Sequence, residues 1–333
     1  MTLAELVGVV VLFSLTFYAL GAGADFGGGV WDLLASGPRA QQQRDLIAKA
    51  IGPIWEANHV WLILVVVLLF VAFPPAFSAI SIALHIPLTI MLMGIVLRGT
   101  AFVFRSYDSQ RDEVQRRWSR LFAVGSIVAP VMLGVCVGAV TSGTIHADLE
   151  TGKVQTNFFS QWLAPFPFAI GGFTLALFAF LAAVYLSLEA TEPALQNDFR
   201  RRALWAALTV GVAAFVSLYL SGQGAPLIRS GLARSWWAVP FQVVTGIIAL
   251  SAILALWFRR FRGARILAIL QVTLVIWGWG LAQFPYLVEP NLTFTNSAAP
   301  DNVLSLLLIA LAAGALLLFP SLWYLFRVFK SRE

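Results

Sequence analysis

Apolar residues in this chain form long runs that short polar segments separate. Residues 304–318 are apolar throughout except for Ser305, and the run that ends at Phe73 is comparable in length. A helix rising about 1.5 Å per residue needs about twenty residues to cross a hydrocarbon core of about 30 Å. The pattern therefore predicts an all-α integral membrane protein with bundled helices.

The runs and the Pro- and Gly-rich segments between them predict nine transmembrane helices. The polar segment 38–51 predicts a short interfacial helix, and no run of soluble-domain composition interrupts the series. We therefore expect a single polytopic membrane domain over residues 1–333. The predicted spans are 6–30, 54–73, 78–98, 121–142, 162–187, 204–222, 238–258, 266–284 and 304–326.

The basic residues test the nine-span prediction independently. If the chain crosses nine times, nineteen of its 22 Lys and Arg residues fall on one side, in segments 39–49, 98–120, 200–202, 259–265 and 327–332. The other side has only Lys153, Arg229 and Arg234. Because cytoplasmic loops carry the excess of Lys and Arg, we expect the N-terminus outside and the C-terminus in the cytoplasm.

Composition narrows the function classes. The chain is 59% hydrophobic and 11% charged, whereas soluble domains are about a quarter charged. The net charge of +6 follows membrane topology, so we expect no nucleic-acid partner. The single cysteine, Cys136, cannot form an internal disulfide or a Cys-based metal site. No Ser/His/Asp or zinc-ligand spacing appears, and we expect neither a catalytic residue nor a metal ligand in this chain.

Ionisable residues inside predicted spans are costly and are therefore candidates for function. Asp25 lies late in span one, Glu56 opens span two and Arg98 closes span three, so all three are expected near the cytoplasmic face. Trp55 lies beside Glu56. The cluster could pass protons inward from the cytoplasm, since carboxylates in semi-dry sites titrate nearer neutral pH. It could equally be a charge-paired anchor that sets helix register, and spacing alone favours the anchor.

The glycine-rich segment 21–29 around Asp25 does not predict a nucleotide site, because no strand precedes it and no βαβ unit follows. Gly23 and Gly27 are spaced four apart, as in the small-residue motifs that let transmembrane helices approach closely. We therefore expect these two glycines to pack against a neighbouring helix.

The three histidines bear on haem binding. His59 is predicted near the inner end of span two and His85 in the outer half of span three, whereas His146 lies in an external loop. Two-histidine haem sites draw on facing residues of two helices, and this pair is at different depths. We expect none of them to bind haem. The external loop 284–296 carries one acid, Glu289, and is interpreted as an ordered connector.

Several segments, in order from the first span to the last, resemble subunit II of cytochrome bd quinol oxidases. The segment IGPIWEANHVWLI is the most specific. The compact length is similar to that of the shorter, cyanide-insensitive branch. The resembling segments are 23–29, 51–63, 73–77, 97–105, 185–192 and 283–293.

The resemblance implies a heterodimer in the cell inner membrane. Subunit I of such enzymes holds all three haems, two b-type and one d-type, and carries the external loop that oxidises quinol, while oxygen is reduced to water with protons from the cytoplasm. Subunit II is a scaffold that helps shape proton and oxygen access, and in some members it holds a quinone. The resemblance leaves the type of quinone and any small accessory subunit open.

The resemblance also implies roles for individual residues. In the family, the residues at the positions of Asp25, Trp55, Glu56 and Arg98 are associated with a hydrophilic route from the inner side toward the haems. Glu56 replaces an aspartate of some relatives and keeps the carboxylate. Val103 departs from the pattern, because several relatives carry an acid there, which puts one relay position in doubt. With the resemblance, proton handling becomes the favoured interpretation of the cluster.

Two alternatives share the composition. A secondary transporter is disfavoured because we find no matching Gly/Pro-interrupted halves, and nine spans do not divide evenly. A membrane assembly or structural protein without a redox role is not distinguished by composition. A neighbouring gene product with intramembrane His and Met ligands, or haem that is recovered only on co-expression with it, would favour the oxidase.

Overall fold

The computed structural model describes residues 1–51, 55–107, 112–149 and 151–330. Residues 52–54 of the most specific family-like segment lie outside the described residues. The helices are α1 (Leu3–Leu33), α2 (Ala40–Ile51), α3 (Trp55–Asn58), α4 (Val60–Ala72), α5 (Pro74–Ala83), α6 (His85–Tyr107), α7 (Asp112–Thr141), α8 (Pro165–Glu189), α9 (Pro193–Gly224), α10 (Pro226–Arg234), α11 (Ala238–Trp257), α12 (Phe261–Gln283) and α13 (Asp301–Lys330). The strands are β1 (His146–Ala147), β2 (Val154–Gln155), β3 (Tyr286–Val288) and β4 (Leu292–Thr293).

Local sequence explains where the helices begin. Thr2 and Glu5 form a capping box at the start of α1: the Glu5 N–H donates to Thr2 Oγ1 (3.2 Å), and the Thr2 N–H donates to Glu5 Oε2 (2.9 Å). Helices α5, α8, α9 and α10 each have proline in the first turn, where its missing N–H leaves no helical hydrogen bond unmade.

The prediction of nine transmembrane helices is confirmed. Within the described part of the chain, nine helical segments are long and apolar enough to cross a bilayer, and the second of them joins α3 and α4 across a turn at His59. The interfacial helix predicted for 38–51 is α2, which begins at Ala40.

The predicted third span was wrong at both ends. Its first residues belong to α5, a separate short helix that starts at the Pro74–Pro75 pair, and the membrane helix α6 starts at His85. Helix α6 then continues past Arg98 to Tyr107. Arg98 therefore does not close the helix: the prediction placed the end at the first charged residue, whereas protein contacts bury this one.

The connections divide the bundle into two ends. The basic end holds the C-terminus of α1, helix α2 and the connections 190–192 and 258–260. The hairpin end holds α5, α10 and two antiparallel hairpins, β1–β2 and β3–β4, which sequence patterning did not predict because each strand has only two or three residues. One apolar cluster near the basic end includes Phe26 and Phe122, and another near the hairpin end includes Ile145 and Val288.

Helices α1 and α8 form the centre of the bundle, and small residues let them touch. A Cβ at Gly27 would collide with the Phe178 carbonyl oxygen, and one at Gly23 would lie 2.7 Å from the Phe178 ring. Trp31 donates its indole N–H across the same interface to the Ala179 carbonyl (2.7 Å). The two glycines thus lie in a close helix–helix contact, where Gly27 faces main chain rather than a movable side chain.

Candidate functional site

Asp25 lies on α1 toward the basic end and is buried, with 6% of its surface exposed. Asn58 Nδ2 donates a hydrogen bond of 2.7 Å to Asp25 Oδ2. Asn58 reaches α1 because Gly21 has no side chain: a Cβ there would lie 2.6 Å from Asn58 Oδ1. An amide donor of this kind stabilises a carboxylate without neutralising its charge.

The break between α3 and α4 presents Asn58 to α1. The His59 N–H donates to the Glu56 carbonyl (3.2 Å), a bond from residue i+3 that tightens the last turn of α3. Asn58 is the final residue of that turn and is itself buried. The irregular backbone thus delivers a polar side chain into the bundle interior.

Arg98 of α6 is 1% exposed and lies among three aromatic rings. The guanidinium carbon is 4.9 Å from the centroid of Phe26, 5.3 Å from that of Phe122 and 6.0 Å from that of Trp55. Arg98 Nε and Nη2 have no hydrogen-bond partner among the described residues. Ring faces carry partial negative charge and attract cations at such distances, so the aromatic cage helps to hold a cation at this depth.

Two glycines make room around Arg98. A Cβ at Gly125 of α7 would lie 3.0 Å from the Arg98 Cβ and 2.6 Å from the Gly94 carbonyl oxygen. A Cβ at Gly99 would lie 2.9 Å from the Trp55 ring. The close approach of α6 and α7 therefore places the cation deep inside the protein rather than at its lipid surface.

The structure brings three of the four sequence-predicted residues together. Asp25 lies within electrostatic range of Arg98, and Trp55 flanks the Arg98 guanidinium. Glu56 is exposed, and its side chain makes no hydrogen bond or ion pair with the described residues. Sequence reasoning did not identify Asn58 as the partner of Asp25. The available signal was an amide side chain close to Glu56 and His59 at the start of a predicted membrane span.

The histidines occupy separate places. His59 is half-buried among Tyr18, Phe26 and Trp55, with ring centroids 5.8, 5.9 and 6.2 Å away. His85 is exposed at the start of α6, with Nδ1 3.0 Å from the Ile82 carbonyl oxygen. Across the ranges that the structure covers, no three His, Cys, Asp or Glu side chains are grouped as a metal site would require.

Two cavities lie within the bundle, and the first of them borders this cluster. One, of about 510 Å³, is lined by Asp25 and Asn58 and by residues of α8, α12 and α13. The other, of about 650 Å³, lies among α1, α7, α8, α9, α11 and α12 and is lined mainly by apolar side chains. Ser217 Oγ and Gln271 Oε1 line the second cavity and have no hydrogen-bond partner among the described residues.

Comparison with known proteins covers almost the whole chain. The family model described as cytochrome bd terminal oxidase subunit II matches residues 3–329. The cytochrome bd ubiquinol oxidase subunit 2 of Bacillus subtilis (strain 168) is 29% identical over 213 residues, which cover 63% of this chain and 60% of that protein. The cytochrome bd-I ubiquinol oxidase subunit 2 of Escherichia coli (strain K12) is 24% identical over 329 residues, which cover 88% of this chain and 82% of that protein.

The fold has a close counterpart among solved structures. A chain of the bd oxidase from Geobacillus thermodenitrificans superposes with a TM-score of 0.82 at 21% identity, and the match covers 100% of both chains. Since the family model spans nearly all 333 residues and the nine-helix fold agrees, the chain belongs to the cytochrome bd terminal oxidase subunit II family.

Proposed function

We propose that this chain is the second subunit of a complex in the cell membrane that oxidises quinol and reduces oxygen to water. Subunit I of that complex holds two b-type haems and one d-type haem, and this chain holds none. The relatives' names and the family match support the complex. The two subunits meet within the bilayer, and the largely exposed apolar sides of α9, α11 and α13 are suited to lipid or to another membrane chain.

Within the complex we assign to this chain a proton route from the cytoplasm toward the haems of subunit I. The observation that carries the proposal is the buried polar cluster of Asp25, Asn58 and Arg98 at the basic end of the bundle. Reduction of oxygen to water consumes one proton for each electron, so a terminal oxidase needs such a route. A carboxylate can accept and release a proton, which an amide or an apolar residue cannot do.

The parts of the cluster have different tasks. Asp25 takes up and releases the proton at its carboxylate, and Asn58 orients that carboxylate through its amide N–H. Arg98 supplies a positive charge within electrostatic range of the Asp25 carboxylate. Glu56, exposed on the same short helix as Asn58, is placed to exchange protons with water or with subunit I.

The competing interpretation makes the same charges an anchor that fixes α1 against α6. An anchor acts on assembly and stability, because one buried charge left without the other is strongly destabilising. A relay acts on turnover. The two interpretations therefore differ in which measurement Asp25→Asn changes.

Asp25→Asn in the assembled two-subunit complex tests the proposal. The amide keeps the size and hydrogen-bonding capacity of the side chain but cannot carry a proton. We expect the haem content and yield of the complex to stay near normal and the oxygen consumption at saturating quinol to fall at least about tenfold. Asp25→Glu should retain most of the activity. Asp301→Asn, the same substitution at the hairpin end, is the matched control and should leave the rate unchanged.

The haem spectrum and the turnover rate separate the possible outcomes. Normal turnover of a fully assembled Asp25→Asn complex would overturn the relay. Loss of the assembled complex, with normal turnover per haem in the remainder, would establish the anchor in its place.

A further inference from the structure

The cavity of about 510 Å³ runs beside Asp25 and has a charged pair among its lining residues. Its titratable or charged lining residues, within the described part of the chain, are Asp25 on α1, Tyr185 and Glu189 on α8, and Arg265 on α12. The volume of the cavity is many times the roughly 30 Å³ that one water molecule occupies. The cavity can therefore hold a chain of water molecules next to the buried carboxylate.

The sequence of α1 explains why space exists there. Gly21, Ala24, Asp25 and Gly28 all line the cavity, and their spacing of three, four and seven residues places them on one face of the helix. Three of these four residues are glycine or alanine. Asn58 packs against Gly21 and Ile51 against Gly28, and the space that remains on this face is a channel beside Ala24 and Asp25.

Glu189 and Arg265 lie where that channel meets the basic end. Glu189 is the last residue of α8 and Arg265 lies in the first turns of α12. Glu189 Oε1 and Arg265 Nη1 are 3.7 Å apart, and the two side chains are 37% and 34% exposed. Both side chains therefore remain in reach of water while the ion pair holds them side by side.

A residue between the pair and Asp25 completes the series. Tyr185 is one helical turn before Glu189 and on the same face of α8, and it is half-buried. Its ring lies under the Arg265 guanidinium at 4.9 Å, and it is within electrostatic range of Asp25. The lining thus passes from a half-exposed acid through a phenol to a buried acid.

The positive charge of the surrounding surface gives a physical reason for an acid at this position. Nineteen of the 22 Lys and Arg residues are assigned to this side of the chain, and a positive surface lowers the local concentration of protons. A carboxylate at the mouth of the cavity offsets that effect locally and offers a site where a proton can be held. Arg265 keeps Glu189 beside the cavity instead of in bulk water.

We propose that Glu189, positioned by Arg265, is the cytoplasmic proton-collecting group of this chain and delivers protons through the water-filled cavity past Tyr185 to Asp25. The proposal rests on the proton route described above and identifies the residue at which protons enter it. In each transfer the Glu189 carboxylate takes a proton from bulk water and passes it to a cavity water, while the last water in the chain protonates Asp25. Glu189 thereby returns to its carboxylate form, so its charge is the same before and after each transfer.

The assembled complex with Glu189→Gln tests whether protons enter the chain at Glu189. We expect its oxygen consumption at saturating quinol to fall about fivefold to tenfold at pH 8, where protons are scarce, and to approach the wild-type rate near pH 6. Glu192→Gln is the matched control: Glu192 is exposed in the same connection but does not line the cavity, so its pH profile should be that of the wild type.

A second variant keeps the test independent of charge. Ala24→Phe places a ring in the cavity without removing an acid, and we expect the same pH-dependent slowing with normal haem content. If Glu189→Gln and Ala24→Phe both leave the pH profile unchanged while Asp25→Asn remains slow, Glu189 is not the proton-collecting group. The route through Asp25 would still stand. If Asp25→Asn is also fast, the route itself fails.

Discussion

At the scale of single residues, Glu289 differs in its burial from the other acids outside the membrane spans whose side chains the structure describes. It lies in the turn between β3 and β4 at the hairpin end, and its side chain is 0% exposed. Neither carboxylate oxygen has a hydrogen-bond partner among the described residues, although its backbone N–H donates to the Val140 carbonyl (3.1 Å). Burial disfavours the charged form and raises the pKa of Glu289 to about 7 from the usual 4.5.

This raised pKa predicts a pH-dependent stability. Between pH 4.5 and 7 the folded protein binds a proton that the unfolded chain has lost, so the stability of the fold decreases as the pH rises through this range. Above pH 7 the full cost is present, at most about 3 kcal/mol. Glu289→Gln removes the charge, and its gain in thermal unfolding temperature over the wild type should be small at pH 5 and larger at pH 8.

Glu192→Gln is the control for this prediction, since the same change at an exposed acid should shift the unfolding temperature equally little at both pH values. A gain for Glu289→Gln that is the same at pH 5 and pH 8 would mean that Glu289 does not titrate in this range. The sequence interpretation of loop 284–296 as an ordered connector contained no sign of this buried acid, because its burial depends on contacts with α7.

At the scale of helices, the α1–α8 contact depends on how closely the two backbones approach. We expect Gly27→Ala to destabilise the complex by about 1–3 kcal/mol, as overpacking does, because its Cβ meets the Phe178 carbonyl and the main chain must move. Gly23→Ala should cost less, since the Phe178 ring can rotate away. The unfolding temperature of the purified complex measures both effects.

Gly211→Ala is the control for the two glycine variants. Gly211 lies within α9, where a Cβ would meet nothing within 4 Å among the described atoms, and alanine favours a helix by up to about 1 kcal/mol over glycine. Equal unfolding temperatures for Gly27→Ala and Gly211→Ala would show that α1 and α8 do not depend on close contact at Gly27.

At the scale of the whole molecule, hydrophobic runs predicted the number of spans because burial in lipid imposes a length on every crossing helix. They also predicted that Asp25 and Arg98 belong near the same end. The runs did not predict that Asn58, rather than Glu56, bonds Asp25, since that choice depends on the helix break at His59. Nor did they separate α5 from α6, because both are apolar and only a local kink divides them.

The orientation of the molecule is a prediction that the distribution of basic residues makes and that a labelling experiment can check. The starting point is a Cys136→Ala background; Cys136 is buried, and its removal leaves no thiol in the chain. Ser160→Cys then marks the hairpin end and Thr191→Cys the basic end, both at exposed positions. In right-side-out membrane vesicles a membrane-impermeant maleimide should modify Ser160→Cys at once and Thr191→Cys only after permeabilisation, because loops rich in Arg and Lys stay in the cytoplasm. The reverse pattern would place Asp25, Glu189 and the cavity between them on the external side, where they could not collect protons from the cytoplasm.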